Sequence, residues 1–173
     1  MLIGTEGAAE SAAHPDGGID SRLVFASIPG RTREEVLAEL SRRVAAQGVV
    51  PDADDLAERL LDRERLGCTG LGDGIAIPHC KLPGIEHVAV AVATTEQPVD
   101  FGAADGKPIR LIFLVVSPTQ GAAAHLQALA RVSRMLRVPG IPQRLREAGS
   151  SEQLREVLRE AEAGLPQAQA VPQ

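Results

Sequence analysis

No tryptophan and no tyrosine occur in these 173 residues, and phenylalanine occurs three times. Stacking on nucleic-acid bases needs aromatic faces or clustered arginine. Neither is offered, and the core has to be assembled from Leu, Val, Ile and Ala. A basic excess is missing as well, the formal net charge being -5. Together these features argue against a nucleic-acid partner. Long apolar runs are also absent. The longest, such as Leu111 to Val116, fall far short of the about 20 residues that cross a bilayer, so no membrane insertion is expected. The N-terminal MLIGTEGAAE has neither the basic flank nor the long apolar stretch of a secretory signal. The expected location is the cytoplasm. Cysteine is limited to Cys68 and Cys80, with no CxxC pair, and two reduced thiols are expected.

What remains is an ordinary globular composition, 44% apolar, with a length that suits one domain and one core. Residues 1–20 are small, polar and glycine-rich, and 164–173 resemble them, so both are expected to be tails around a folded domain over 21–163. Leu23 to Ile28 has strand propensity. Thr32 and Glu35 form a capping-box pattern before a helix whose apolar stripe is Val36, Leu37, Leu40 and Val44. A second helix is expected to begin at Asp52 or Asp54 and to stop at Gly67. A glycine-rich turn over 69–74 leads into a short strand at Ile75-Ala76-Ile77, and Val88 to Ala93 is a further small-apolar strand. Leu111 to Val116 is apolar throughout, as a strand buried on both faces would be. Helices follow over about 122–136, in a short piece to Glu147, and after a Ser150–Gln153 cap. The alternation of strands and helices predicts an α/β domain with a mixed β-sheet flanked by helices, in which Val88–Ala93 and Leu111–Val116 are free to pair in either direction.

Four histidines are candidates for chemistry. His14 lies in the expected tail, and His87 reads as a solvated residue at a strand edge. His79 follows Pro78. Proline fixes its own φ and restricts its predecessor, so Ile77-Pro78-His79 delivers an imidazole at a rigid strand end, with a glycine-rich turn upstream. With an ordinary pKa of about 6.5, neutral imidazole is a competent nucleophile near pH 7. The same segment also reads as a histidine merely hydrogen-bonded at a strand end. His125 is placed near the N-terminus of a helix, where free N–H groups and the dipole attract anions; it reads equally as a helix-surface residue. Arg63, within Asp62-Arg63-Glu64-Arg65, is either part of a solvated, charge-paired face or a guanidinium aimed at a phosphoryl oxygen. Gly70, Gly72 and Gly74 fit neither GxGxxG nor a P-loop. The His and Cys spacing matches no zinc module. No metal or nucleotide cofactor is expected.

The stretch from Arg63 to His79, RERLGCTGLGDGIAIPH, resembles the fructose/mannitol class of enzyme IIA domains, a class that includes a nitrogen-related regulatory branch. Further matching blocks are Pro98-Val99-Asp100-Phe101-Gly102 with Asp105-Gly106-Lys107-Pro108, the strand Leu111 to Val116, and Ala124-His125-Leu126 with Leu129, Ala130, Ser133 and Leu136. The resemblance runs from about Leu23 to Ala161 and implies a mixed sheet flanked by helices. It implies that His79 takes a phosphoryl group from an HPr-type phosphocarrier protein and passes it to a cysteine on an enzyme IIB. In the regulatory alternative, the phosphorylation state controls a target protein. It further implies that His125 supports the phosphoryl group and that Arg63 lies near it. Cys80 and Cys68 depart from the usual small residue and serine at their positions, placing a thiol beside the expected nucleophile. For partner docking, Leu71, Ile75 and the 117–124 turn are expected to form an apolar rim with few charges near its centre.

Overall fold

Short polar side chains open three of the helices. The computed structural model describes residues 18–165. Both expected tails fall mostly outside the described residues, as does His14. A single 3-10 turn at Ser21–Leu23, capped by Asp20, leads into strand β1, Val24–Ile28. Helix α1, Arg33–Ala46, begins where Thr32 Oγ1 accepts the Glu35 N–H at 3.1 Å. The Glu35 carboxylate reaches back to the N–H of Arg31 at 2.7 Å, one residue before the cap, so the box is offset by one position. Asp52 accepts the N–H groups of Asp54 and Asp55, which fixes the start of α2, Ala53–Arg65. Ser150 Oγ accepts the Gln153 N–H at 3.1 Å at the start of the last helix, α5, Ser151–Ala163. Between them lie α3, Ala122–Leu136, and α4, Ile141–Glu147.

The remaining strands are β2 (Gly70–Gly72), β3 (Ile75–Ala76), β4 (His79–Leu82), β5 (Ala89–Val99) and β6 (Ile109–Pro118). Their order is β1-β5-β6-β3-β2, with β4 also on β6. β5 and β6 pair antiparallel, which settles the direction left open by the sequence. β1 runs parallel to β5, and both β3 and β4 run parallel to β6. The sheet is therefore mixed. β3 and β4 lie in line along the same side of β6, Ile75 facing Leu111 and His79 facing Val115. The break between them falls at Ile77-Pro78, because proline has no N–H to give the ladder.

Side chains alternate across β5 and β6 and supply two cores. Ala89, Ala91, Ala93, Ile112, Leu114 and Val116 belong to the cluster that holds Val36, Leu37 and Leu40 of α1 and Leu56 and Leu60 of α2. Val90, Val92, Leu111, Phe113 and Val115 belong to the other, with Ala128 and Val132 of α3, Leu145 of α4, and Leu154 and Leu158 of α5. The product is three layers, two helices on one face and three on the other. No described helix is long and apolar enough to cross a membrane.

Candidate functional site

The glycine-rich turn lies away from the imidazole it precedes in sequence. Asp73 takes a left-handed conformation, φ 54°, and Gly74 follows at φ 78°. The carbonyl of Gly74 accepts the N–H groups of Arg110 and Leu111. A Cβ at Gly74 would come within 3.2 Å of the Pro108 carbonyl oxygen, so glycine is required here. That pins the tip of the hairpin to the beginning of β6, whereas His79 sits farther along, opposite Val115. The glycine-rich turn that precedes the imidazole in sequence is therefore not its neighbour in space. It is the base of the hairpin that approaches, through Thr69, whose carbonyl accepts the Ile77 N–H at 3.0 Å.

His79 opens β4 and is half-buried. Its Nδ1 lies 2.7 Å from the carbonyl oxygen of Ile77. A carbonyl only accepts, so Nδ1 carries the hydrogen, and in the neutral ring Nε2 keeps its lone pair. Pro78 makes this local loop stiff. It contributes no N–H, and its carbonyl accepts from Val115 at 3.0 Å. Rigidity at 77–79 is thus produced by proline and by β6 together.

His125 lies in the first turn of α3, only 9% exposed. Its ring centroid is 5.4 Å from that of His79, the planes inclined by 52°. Its Nδ1 contacts Ser117 Oγ at 2.6 Å, a hydroxyl wholly buried at the end of β6. With the hydroxyl donating to Nδ1, His125 Nε2–H becomes a donor available to whatever occupies the space between the rings. Burial, and then the charges of His79 and Lys81, hold its pKa below the ordinary 6.5. The N-terminus of α3 begins at Gly121 with no side-chain cap.

Arg63, on the last turn of α2, makes no carboxylate pair among the described residues. It donates to the Gly67 carbonyl at 3.0 Å, while Arg65 takes Asp62 at 2.5 Å. Arg63, His79 and His125 line one open cavity of about 750 Å³, together with Arg59, Asp62, Arg65, Leu66, Cys80 and Lys81. The three residues singled out in the sequence are therefore brought together from α2, β4 and α3. The expected rim is corrected. Ile75 is buried in the α3–α5 core, and neither Leu71 nor the 117–124 turn lines the cavity. The exposed apolar side chain at the wall is Leu66, 85% exposed, and Leu126, 66% exposed, follows His125 directly. Charges crowd the wall instead of avoiding it, four cations against one carboxylate. A cationic wall suits an anionic occupant.

Two further residues matter here. Ser117, at the end of an apolar run, orients His125, and only the fold brings it there. Cys80 is half-buried, and burial pushes its thiol up to about 12, so it stays protonated at neutral pH and is a poor nucleophile. Cys68 accepts the Gly70 N–H at 3.2 Å. His87 is exposed and outside the strands, as a solvated residue should be.

The sequence model of one family, "Phosphoenolpyruvate-dependent sugar phosphotransferase system, EIIA 2", matches residues 19–161. The chain belongs to this EIIA family. Within it, the nitrogen regulatory protein of Pseudomonas aeruginosa is 37% identical over 138 residues, covering 80% of this chain and 90% of its own length. The fructose-specific EIIA component of Haloferax volcanii is 36% identical over 138 residues, with the same coverage of 80% and 90%. Among solved structures, the nitrogen regulatory protein IIA-Ntr of Neisseria meningitidis superposes on this EIIA domain with a TM-score of 0.72 at 29% identity. It covers 81% of this chain and 95% of its own. The mixed sheet with helices on both faces is thus the EIIA fold.

Proposed function

We propose that this EIIA domain is a phosphocarrier and that His79 Nε2 is the atom that bears the phosphoryl group. The observation that carries the proposal is the 2.7 Å contact between His79 Nδ1 and the Ile77 carbonyl. It fixes the proton on Nδ1 and leaves the Nε2 lone pair for attack. A phosphohistidine of an HPr-type protein would be the donor. The donor's N–P bond breaks as the Nε2–P bond forms, and no proton has to leave His79. Phosphoryl transfer of this kind runs through a loose, in-line arrangement with charge spread over three equatorial oxygens. Positioning and charge stabilisation then provide the catalysis. Arg63 and His125 Nε2–H are the donors suited to those oxygens. A phosphoryl dianion next to His125 would raise its pKa, so the ring becomes a better donor once His79 is loaded.

Two outlets fit this chemistry. In one, the group moves to a cysteine on an enzyme IIB of fructose or mannitol type. In the other, the loaded and unloaded forms bind a regulatory target differently. The names borne by the Pseudomonas relative and the Neisseria structure favour regulation, and that of the Haloferax relative favours sugar transfer. The test begins with phosphoenolpyruvate, enzyme I and HPr. Wild type should acquire acid-labile phosphate and His79→Ala should acquire none; equal labelling would sink the assignment. His125→Ala should still load but pass the group on slowly. Adding a fructose-type enzyme IIB then separates the outlets, since a transport component empties onto the cysteine and a regulatory one stays loaded.

A further inference from the structure

Glu64 is a carboxylate that stability alone does not explain. It is only 3% exposed and sits in the last turn of α2, where the helix dipole already presents negative charge. A buried carboxylate is costly unless paired. Its sequence neighbours turn elsewhere, Arg63 to the Gly67 carbonyl and Arg65 to Asp62. Among the described residues, both of its hydrogen bonds come from one residue, Thr69. The Thr69 hydroxyl donates to Oε1, and the Thr69 N–H donates to Oε2 at 3.3 Å.

Thr69 leads straight to the imidazole. Its carbonyl accepts the Ile77 N–H at 3.0 Å, and the Ile77 carbonyl accepts His79 Nδ1–H at 2.7 Å. The residue that fixes the tautomer of His79 is thus gripped at its N–H by Thr69, and Thr69 is gripped on two atoms by Glu64. The same carboxylate belongs to the helix end that carries Arg63 into the cavity. One buried pair therefore ties the arginine-bearing helix to the strand segment that aims the nucleophile.

We infer that Glu64 and Thr69 are positioning residues for the phosphoryl-accepting imidazole, holding the Ile77 carbonyl where it keeps the proton of His79 on Nδ1 and the lone pair on Nε2. The inference rests on His79 being the acceptor. A merely stabilising pair would lower the melting temperature on removal and leave the ring tautomer of the folded protein unchanged. A positioning pair shifts the tautomer.

The experiment uses the full chain, 15N-labelled, without any phosphoryl donor. Long-range proton–nitrogen spectra of His79 report which ring nitrogen bears hydrogen. Wild type and Thr69→Ser should show the Nδ1–H form predominating. Thr69→Val and Glu64→Ala should show a mixture of tautomers. Their loading rate from phosphorylated HPr should fall roughly tenfold, inside the hundredfold range that misplacing a reacting group can cost. Glu64→Gln, which keeps an acceptor for the Thr69 hydroxyl, should lie between. Thr69→Val and Glu64→Ala proteins that fold and keep the wild-type tautomer and rate would overturn the inference. If Glu64→Ala fails to fold, Thr69→Val against Thr69→Ser decides alone. A Thr69→Val chain that cannot fold where Thr69→Ser can would assign the pair to stability and equally overturn it. Failure of wild type to load on His79 would instead remove the proposed function, and the tautomer comparison would still be readable.

Discussion

His125 shows how the fold adjusts a single side chain. The ring is packed against the end of β6 through Ser117 and faces His79 across 5.4 Å. Burial is the main reason its pKa lies below 6.5, with His79 and Lys81 adding to the effect. The sign follows from proton counting. In the unfolded chain His125 takes a proton near pH 6.5, and in the folded chain only at lower pH. Between those values the unfolded state binds more protons, so stability is present above the unfolded value and falls as pH drops through the folded one. Urea titrations at pH 7.5 and pH 5.5 should therefore show a smaller acid loss for His125→Gln than for wild type. Equal losses would mean that this ring is not among the groups making folding pH-dependent. The candidate roles of His79 and His125 were legible through the resemblance of their segments to enzyme IIA domains; the proline before one and the helix start before the other left an ordinary structural reading open for each. Ser117 was not legible, because its importance comes from standing beside His125 in space, eight residues away along the chain.

At the scale of elements, the helices were the readable part. Thr32, Asp52 and Ser150 each accept backbone N–H groups where capping patterns place them, and such local chemistry needs no knowledge of the rest of the chain. Of the short strands, β3 was readable from its apolar residues, and β2 and β4 were not. β2 is three residues of Gly-Leu-Gly and looks like a turn; it is a strand only because β3 pairs with it. β4 begins at His79 with the polar run His-Cys-Lys and owes its conformation to β6. The rim was misplaced for a related reason, since the sequence could not tell which ends of α2 and α3 would converge. That convergence leaves Leu66 and Leu126 exposed near the two histidines. Exposed leucines contribute little to folding, so Leu66→Asp and Leu126→Asp should change stability by less than about 0.5 kcal/mol. If a partner covers them during transfer, each should weaken binding of an HPr-type donor on the order of tenfold, about 1.4 kcal/mol. Leu71→Asp is the control. That side chain is 56% exposed but does not line the cavity, and its titration should match wild type. Three identical calorimetric curves would move the docking face elsewhere.

The molecule as a whole is organised around β6. This strand pairs with β5 on one side and with β3 and β4 on the other, so it joins the two parts of the sheet. It gives Ile112, Leu114 and Val116 to the core under α1 and α2, and Leu111, Phe113 and Val115 to the core under α3, α4 and α5. Its end supplies Ser117, and it is opposite Val115 that His79 is set. Fold and candidate site therefore share one support and should be lost together. Phe113 is the most informative place to test this. It is one of only three aromatic residues in the chain and is wholly buried in the layer beneath α3–α5. Truncating a buried phenylalanine costs about 3–5 kcal/mol, because the removed atoms lose their burial and a cavity remains. That is a large share of the roughly 5–15 kcal/mol that holds a domain together, and in a chain of this size it corresponds to a melting shift on the order of 10 °C. Phe113→Ala should thus melt well below wild type, with loading of His79 disappearing along the same curve as far-UV circular dichroism. Loading that vanished at temperatures where the variant was still fully folded would show that the site has a support independent of β6.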